Sequence, residues 1–118
     1  MREAIDSALN QTYKHKEVIV VDDGSTDDSW QIIESYGQKI RVFKQKNGGV
    51  STALNLGIKQ AKGEYISWLS HDDVYTPNKL SKQVEALNGL PAKEKGETIL
   101  FSNYKIIDSN SKVIEIPA

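Results

Sequence analysis

Glu17-Val18-Ile19-Val20-Val21-Asp22-Asp23-Gly24-Ser25-Thr26-Asp27 is the stretch that decides how the rest of the chain reads. Residues 18–21 are short, β-branched and wholly apolar, the pattern of a strand buried on both faces in a parallel sheet. The run stops in a cluster of Asp, Gly, Ser and Thr, which turns the chain and can cap a following helix. Upstream, Ala4, Ile5, Ala8 and Leu9 fall on one stripe and predict a helix over 2–10. Downstream, Trp30, Ile32, Ile33 and Tyr36 predict a helix over 28–36, closed by Gly37. The cycle repeats. Residues 40–43 read as a strand, Asn47-Gly48-Gly49 as a loop, and Ser51 as the cap of a helix carrying Ala53, Leu54, Leu56, Ile58 and Ala61 up to Gly63. Residues 65–69 read as another strand, ending in Ser70-His71-Asp72-Asp73. Pro77 opens a helix with Leu80, Val84 and Leu87 facing inward, through Asn88. After a charged loop over 89–97, residues 98–104 and 112–116 read as strands about an Asp108-Ser109-Asn110-Ser111 turn.

Alternating helices and strands predict an α/β sheet covered by helices, and such sheets bind ligands at the carboxyl ends of their strands. Asp22-Asp23 and Asp72-Asp73 both follow predicted strands. If these strands are parallel neighbours, the carboxylates share one edge and repel unless a positive charge or hydrogen-bond donors sit between them. A divalent cation completed by phosphate and water fits that need. Turn chemistry and helix caps are the plainer account of either pair taken alone.

The 118 residues amount to one domain. Fifteen basic and sixteen acidic residues are interspersed, and Arg2 and Arg41 are the arginines, so the basic face of a nucleic-acid binder is missing. There is no Cys, which excludes disulfides and thiolate metal sites and is compatible with the cytosol. No apolar run approaches the roughly 20 residues of a membrane helix, and the first residues show no signal-peptide core. His15 and His71 read as solvent-facing loop residues, and Trp30 and Trp68 as packing residues.

Several segments together resemble family-2 glycosyltransferases: Gln11-Thr12-Tyr13, the 17–27 block quoted above, Asn47-Gly48-Gly49-Val50-Ser51 with Ala53-Leu54-Asn55 and Gly57-Ile58, Gly63-Glu64-Tyr65-Ile66, Asp72-Asp73, and Pro77, Lys79 and Leu80. The resemblance covers about residues 3 to 115. It implies a GT-A fold, a Rossmann-like nucleotide-binding sheet flanked by helices, and metal-assisted transfer of a sugar from a nucleotide-sugar donor. A UDP-sugar is the expected donor, and a saccharide or lipid-linked acceptor at a cell-surface polymer receives the sugar. By this resemblance Asp23 accepts a hydrogen bond from the base, while Asp22 and Ser25 belong to the nucleotide pocket. Asp73 would ligate Mg²⁺ or Mn²⁺, with Asp72 at the ribose or beside the metal.

The sequence departs from the family in places. Ser70 replaces the leading Asp of an Asp-x-Asp-Asp motif, and Leu54 stands where many members carry an Arg. The chain starts in the helix after the family's first strand and its Pro-Thr-Tyr-Asn-like turn, and it stops before the acceptor region. A partial domain over 1–118, truncated at both ends, is therefore expected, active at most in binding nucleotide. Asp108 and Glu115 lie in a hairpin-like stretch, so no catalytic base is assigned. Family members commonly work in the cytoplasm at the inner face of a membrane. A receiver-like Mg²⁺-dependent module is the competing class, but 40–43 leads to Lys44-Gln45-Lys46 and not to an acceptor Asp. A dinucleotide-binding domain would need Gly-x-Gly-x-x-Gly, which does not occur.

Overall fold

A computed structural model describes residues 1–24, 28–46, 48–91, 106–107 and 113–115. Contacts divide the chain into two units, Met1–Lys82 and Gln83–Ala118. In chain order the elements are α1 (Arg2–Leu9), β1 (Ile19–Asp22), α2 (Ser29–Glu34), β2 (Arg41–Lys44), α3 (Val50–Gln60), α4 (Lys79–Asn88), β3 (Ile106–Ile107) and β4 (Val113–Glu115). A 3₁₀ turn, Gly37–Lys39, joins α2 to β2.

In the first unit β1 and β2 pair in parallel, from Ile19 opposite Arg41 to Asp22 opposite Lys44. The ladder extends at both ends: Arg41 N donates to Val18 O at 2.9 Å, and Gln45 N to Asp22 O at 2.9 Å. Successive strand residues face opposite ways, and the packing follows. Val18 and Val20 join Val42 on the core of Ile5, Ile33 and Ile40, while a Cβ on Gly57 of α3 would lie 3.5 Å from Val21 Cγ2. The apolar run is thus packed on both sides, as its composition requires. Ala4 and Ile5 turn the buried stripe of α1 inward. Trp30 and Tyr36 pack on the same core, and the Tyr36 hydroxyl donates to Asp6 Oδ1 at 2.7 Å. In the second unit Leu87 is buried and β3 pairs antiparallel with β4.

Two local expectations fail. Ser51 is not the cap of α3; Gly49 is, with φ 94°, and the helix starts at Val50. A left-handed approach at that position suits the residue without a Cβ. Residues 65–69 are not a strand, and Ile66 and Trp68 are 52% and 59% exposed, so Trp68 is not the packing residue expected of it. A strand exists through its hydrogen-bonded neighbour, and among the described residues none pairs with this segment. The Trp68 carbonyl instead accepts the Tyr75 hydroxyl at 2.7 Å. The predicted strand over 98–104 and the 108–111 turn lie outside the described residues, while β4 falls inside the predicted 112–116 strand.

Candidate functional site

The site is built at the carboxyl end of β1. Asp22, the last strand residue, is buried. Asp23 follows it and gathers the far loop. Its Oδ1 accepts from Gln45 Nε2 at 2.8 Å and from Gly48 N at 2.8 Å, and its Oδ2 from Gly49 N at 3.0 Å. The Gly48 amide and then the Gln45 side chain hold the Asp23 carboxyl below its ordinary range, so it is ionised at neutral pH. Gly24, at φ 74°, takes a left-handed conformation that suits a residue without a Cβ. Beside it opens a depression of about 510 Å³ lined by Gly24, Lys44, Gln45 and Lys46. The Lys44 ammonium lies 4.0 Å from the centre of the Trp30 ring, which fixes a cation at the depression's edge.

A matching carboxylate secures the other end of α3. Glu17 Oε1 accepts from Arg41 at 2.5 Å, and its Oε2 accepts from Lys62 N at 2.5 Å and Gly63 N at 3.1 Å. Arg41 also donates to Gln60 O at 2.8 Å, capping the last turn of α3. Glu17 lies before β1 and Asp23 after it, so α3 runs antiparallel to β1. Six residues of extended chain span about 20 Å, close to the length of an eleven-residue helix at about 1.5 Å per residue.

The second acidic pair sits in a different setting. Asp72 and Asp73 are exposed, as is His71, and Asp73 N donates to Ser70 O at 3.1 Å in a tight turn. The turn is anchored beyond its end. Tyr75 N donates to Ser7 Oγ at 3.0 Å, and fully buried Gln11 donates to Thr76 O at 2.7 Å and accepts from Leu80 N at 3.0 Å. Thr12 N donates to Pro77 O at 3.0 Å, so Gln11-Thr12 holds the start of α4. Burial pushes the Tyr75 phenol up and the Lys79 ammonium down.

Among the described residues no three His, Asp or Glu side chains gather to hold a metal. Two exposed carboxylates suffice for a hard cation that keeps water and takes phosphate oxygens, as Mg²⁺ does. Asp72 and Asp73 therefore fit such an ion chemically. The donors described on Asp23 are Gln45, Gly48 and Gly49, and neither Asp72 nor Asp73 is among them. Ser25 lies outside the described residues. Sequence reasoning missed Glu17, Arg41, Gln45 and Tyr75. For Glu17 and Arg41 a signal existed: opposite charges stand at the starts of two strands predicted to be parallel.

A family model described as Glycosyl transferase family 2 matches residues 1–93. The chain belongs to glycosyl transferase family 2. Its relatives include an uncharacterized glycosyltransferase of Rickettsia bellii, 55% identical over 116 residues, which span 97% of this chain and 16% of the relative. The glycosyltransferase GlyG of Streptococcus pneumoniae is 36% identical over 92% of this chain and 36% of its own length. From Escherichia coli comes UDP-Glc:alpha-D-GlcNAc-diphosphoundecaprenol beta-1,3-glucosyltransferase WfaP, 43% identical over 86% of this chain and 39% of that protein. This family-2 chain thus spans between about a sixth and two-fifths of these relatives. The matched span contains both acidic pairs and all of α1, β1, α2, β2, α3 and α4. Among the described residues no helix is long and apolar enough to cross a membrane.

Proposed function

We propose that this chain is the donor-binding part of a glycosyltransferase that moves a sugar from a UDP-sugar to a saccharide or lipid-linked acceptor. The observation that carries the reading is the ordering of Asp23 beside the depression flanked by Lys44 and Lys46. A carboxylate offers about four acceptor directions, and Gln45, Gly48 and Gly49 fill three. Among the described residues this leaves one acceptor direction for a base N–H. A uracil ring presents one N–H between two carbonyls, and lysine ammoniums suit carbonyl and phosphate oxygens. Support for UDP comes from the name of the Escherichia coli relative, a UDP-Glc-dependent glucosyltransferase.

In this reading Asp22 backs the nucleotide pocket, Asp72 lies toward the ribose hydroxyls, and Asp72 and Asp73 supply oxygen ligands for Mg²⁺ or Mn²⁺. Held by Asp72 and Asp73, such a cation would supply charge neutralisation to the diphosphate and so make it a better leaving group. Transfer itself forms a bond from an acceptor hydroxyl oxygen to the anomeric carbon as the nucleoside diphosphate leaves, and the hydroxyl proton passes to a base. In this reading the chain works in the cytoplasm at the inner face of a membrane, where a lipid-linked acceptor is within reach.

Titration calorimetry of the 118-residue chain with UDP tests the reading, with Mn²⁺ and with chelator. The expected result is Mn²⁺-dependent binding that Asp73→Asn weakens at least tenfold, about 1.4 kcal/mol. Absence of binding to UDP, GDP and dTDP alike refutes it.

A further inference from the structure

We infer that Tyr75 is a positioning residue for Asp72 and Asp73, its hydroxyl fastening the loop that carries both carboxylates. The inference rests on the reading of these two side chains as oxygen ligands given above. Tyr75 closes the loop from its far side. Its hydroxyl lies 2.6 Å from Ser67 Oγ and donates to the Trp68 carbonyl at 2.7 Å, so two residues ahead of the acidic turn are tied to one beyond it. Between these ties the turn has its own bond, Asp73 N to Ser70 O.

The clasp is itself anchored. The Tyr75 amide is bound by Ser7 of α1, and Lys79 Nζ lies 4.2 Å from the centre of the Tyr75 ring. One residue on, Thr76 is held by fully buried Gln11. The hydroxyl is therefore presented from a fixed base to a segment that is otherwise exposed, with Ile66 and Trp68 more than half accessible. Carboxylates on an exposed loop lose conformational freedom when they close on a ligand, and that loss weakens binding unless the loop is already ordered. Tyr75 orders it before the ligand arrives. The aromatic ring alone cannot do so, because the two bonds that close the loop both use the hydroxyl oxygen.

The test uses Tyr75→Phe in the 118-residue chain, beside wild type and Asp73→Asn. Two measurements are made: UDP affinity by calorimetry with and without Mn²⁺, and amide hydrogen exchange. Tyr75→Phe is expected to weaken Mn²⁺-dependent UDP binding about tenfold, the effect of losing one to two modest hydrogen bonds. It should leave Mn²⁺-free binding unchanged, speed exchange at Asp73, and leave exchange at Ile33 and Val42 alone. If wild type binds with Mn²⁺, Asp73→Asn loses that binding and Tyr75→Phe stays within twofold, the role of Tyr75 is overturned while the ligand reading stands. Faster exchange at Ile33 and Val42 overturns it as well, since Tyr75 would then support the fold at large. Wild type without Mn²⁺-dependent binding, or Asp73→Asn equal to wild type, overturns the ligand reading and the inference together.

Discussion

Replacing Glu17 with Gln keeps the side chain's size and removes its charge, which isolates what the carboxylate does at the end of α3. Three donors converge on Glu17: Arg41 at 2.5 Å, Lys62 N at 2.5 Å and Gly63 N at 3.1 Å. A glutamine has one acceptor oxygen, so in either amide orientation its NH₂ faces a donor. A hydrogen bond to a charged group contributes about 1.5–3 kcal/mol. The Glu17 and Arg41 side chains are 25% and 33% accessible, so water and salt screen part of that. Arg41 also keeps its bond to Gln60 O. The net destabilisation is about 1–2 kcal/mol, or roughly a 1 M fall in the urea midpoint for a chain of this size.

Acid unfolding supplies the sign. The Lys62 amide, and next to it Arg41, hold the Glu17 carboxyl below its ordinary range in the folded chain. Its contribution is therefore present above the unfolded carboxyl pKa of about 4.3, and it disappears as pH falls through the lower folded value. Urea melts followed by circular dichroism at neutral and acid pH should show wild type and Glu17→Gln converging as pH drops. A midpoint for Glu17→Gln within about 0.2 M of wild type at neutral pH, a fraction of the roughly 1 M expected, would refute the role given to this carboxylate.

Two glycines give opposite expectations. Gly57→Ala should stabilise the chain by about 0.5–1 kcal/mol, because helix propensity improves and the new methyl meets Val21 Cγ2 at an ordinary 3.5 Å; a lower melting temperature would show that α3 packs more tightly on β1 than this. Gly49→Ala should cost about 1–3 kcal/mol, since φ 94° and ψ 171° form a region in which a Cβ is strained. That variant should also weaken nucleotide binding by shifting the amide that Asp23 accepts, and unchanged stability and affinity would count against the backbone described at this cap.

Much of the fold was legible because its signals are local. The apolar runs and stripes around Ile5, Val20, Ile33 and Val42 carry their own period, so the helices, the first two strands and their α/β order follow without knowledge of the packing. The same holds for the carboxylates as chemistry: two Asp pairs placed after apolar runs suggest an anionic ligand with a cation wherever the chain folds. Residues 65–69 carry an equally clear strand pattern, yet among the described residues no strand pairs with them, because pairing depends on a neighbour and not on the segment.

Tertiary structure alone decided which polar residues meet. Glu17 finds Lys62 across 45 positions, Ser7 finds Tyr75 across 68, and Gln11 finds Leu80 across 69. None of these pairs has a period or spacing to announce it. They exist because α3 lies antiparallel along β1 and because α1 presents its last turn to the segment before α4. The sequence by itself determined the helices, the first two strands, the family and the kinds of group available for binding. The folded chain determined that Asp23 is an ordered acceptor held by three donors, and that a tyrosine hydroxyl closes the loop carrying Asp72 and Asp73. Hydrophobic periodicity is set by neighbours along the chain, whereas a hydrogen bond is set by neighbours in space.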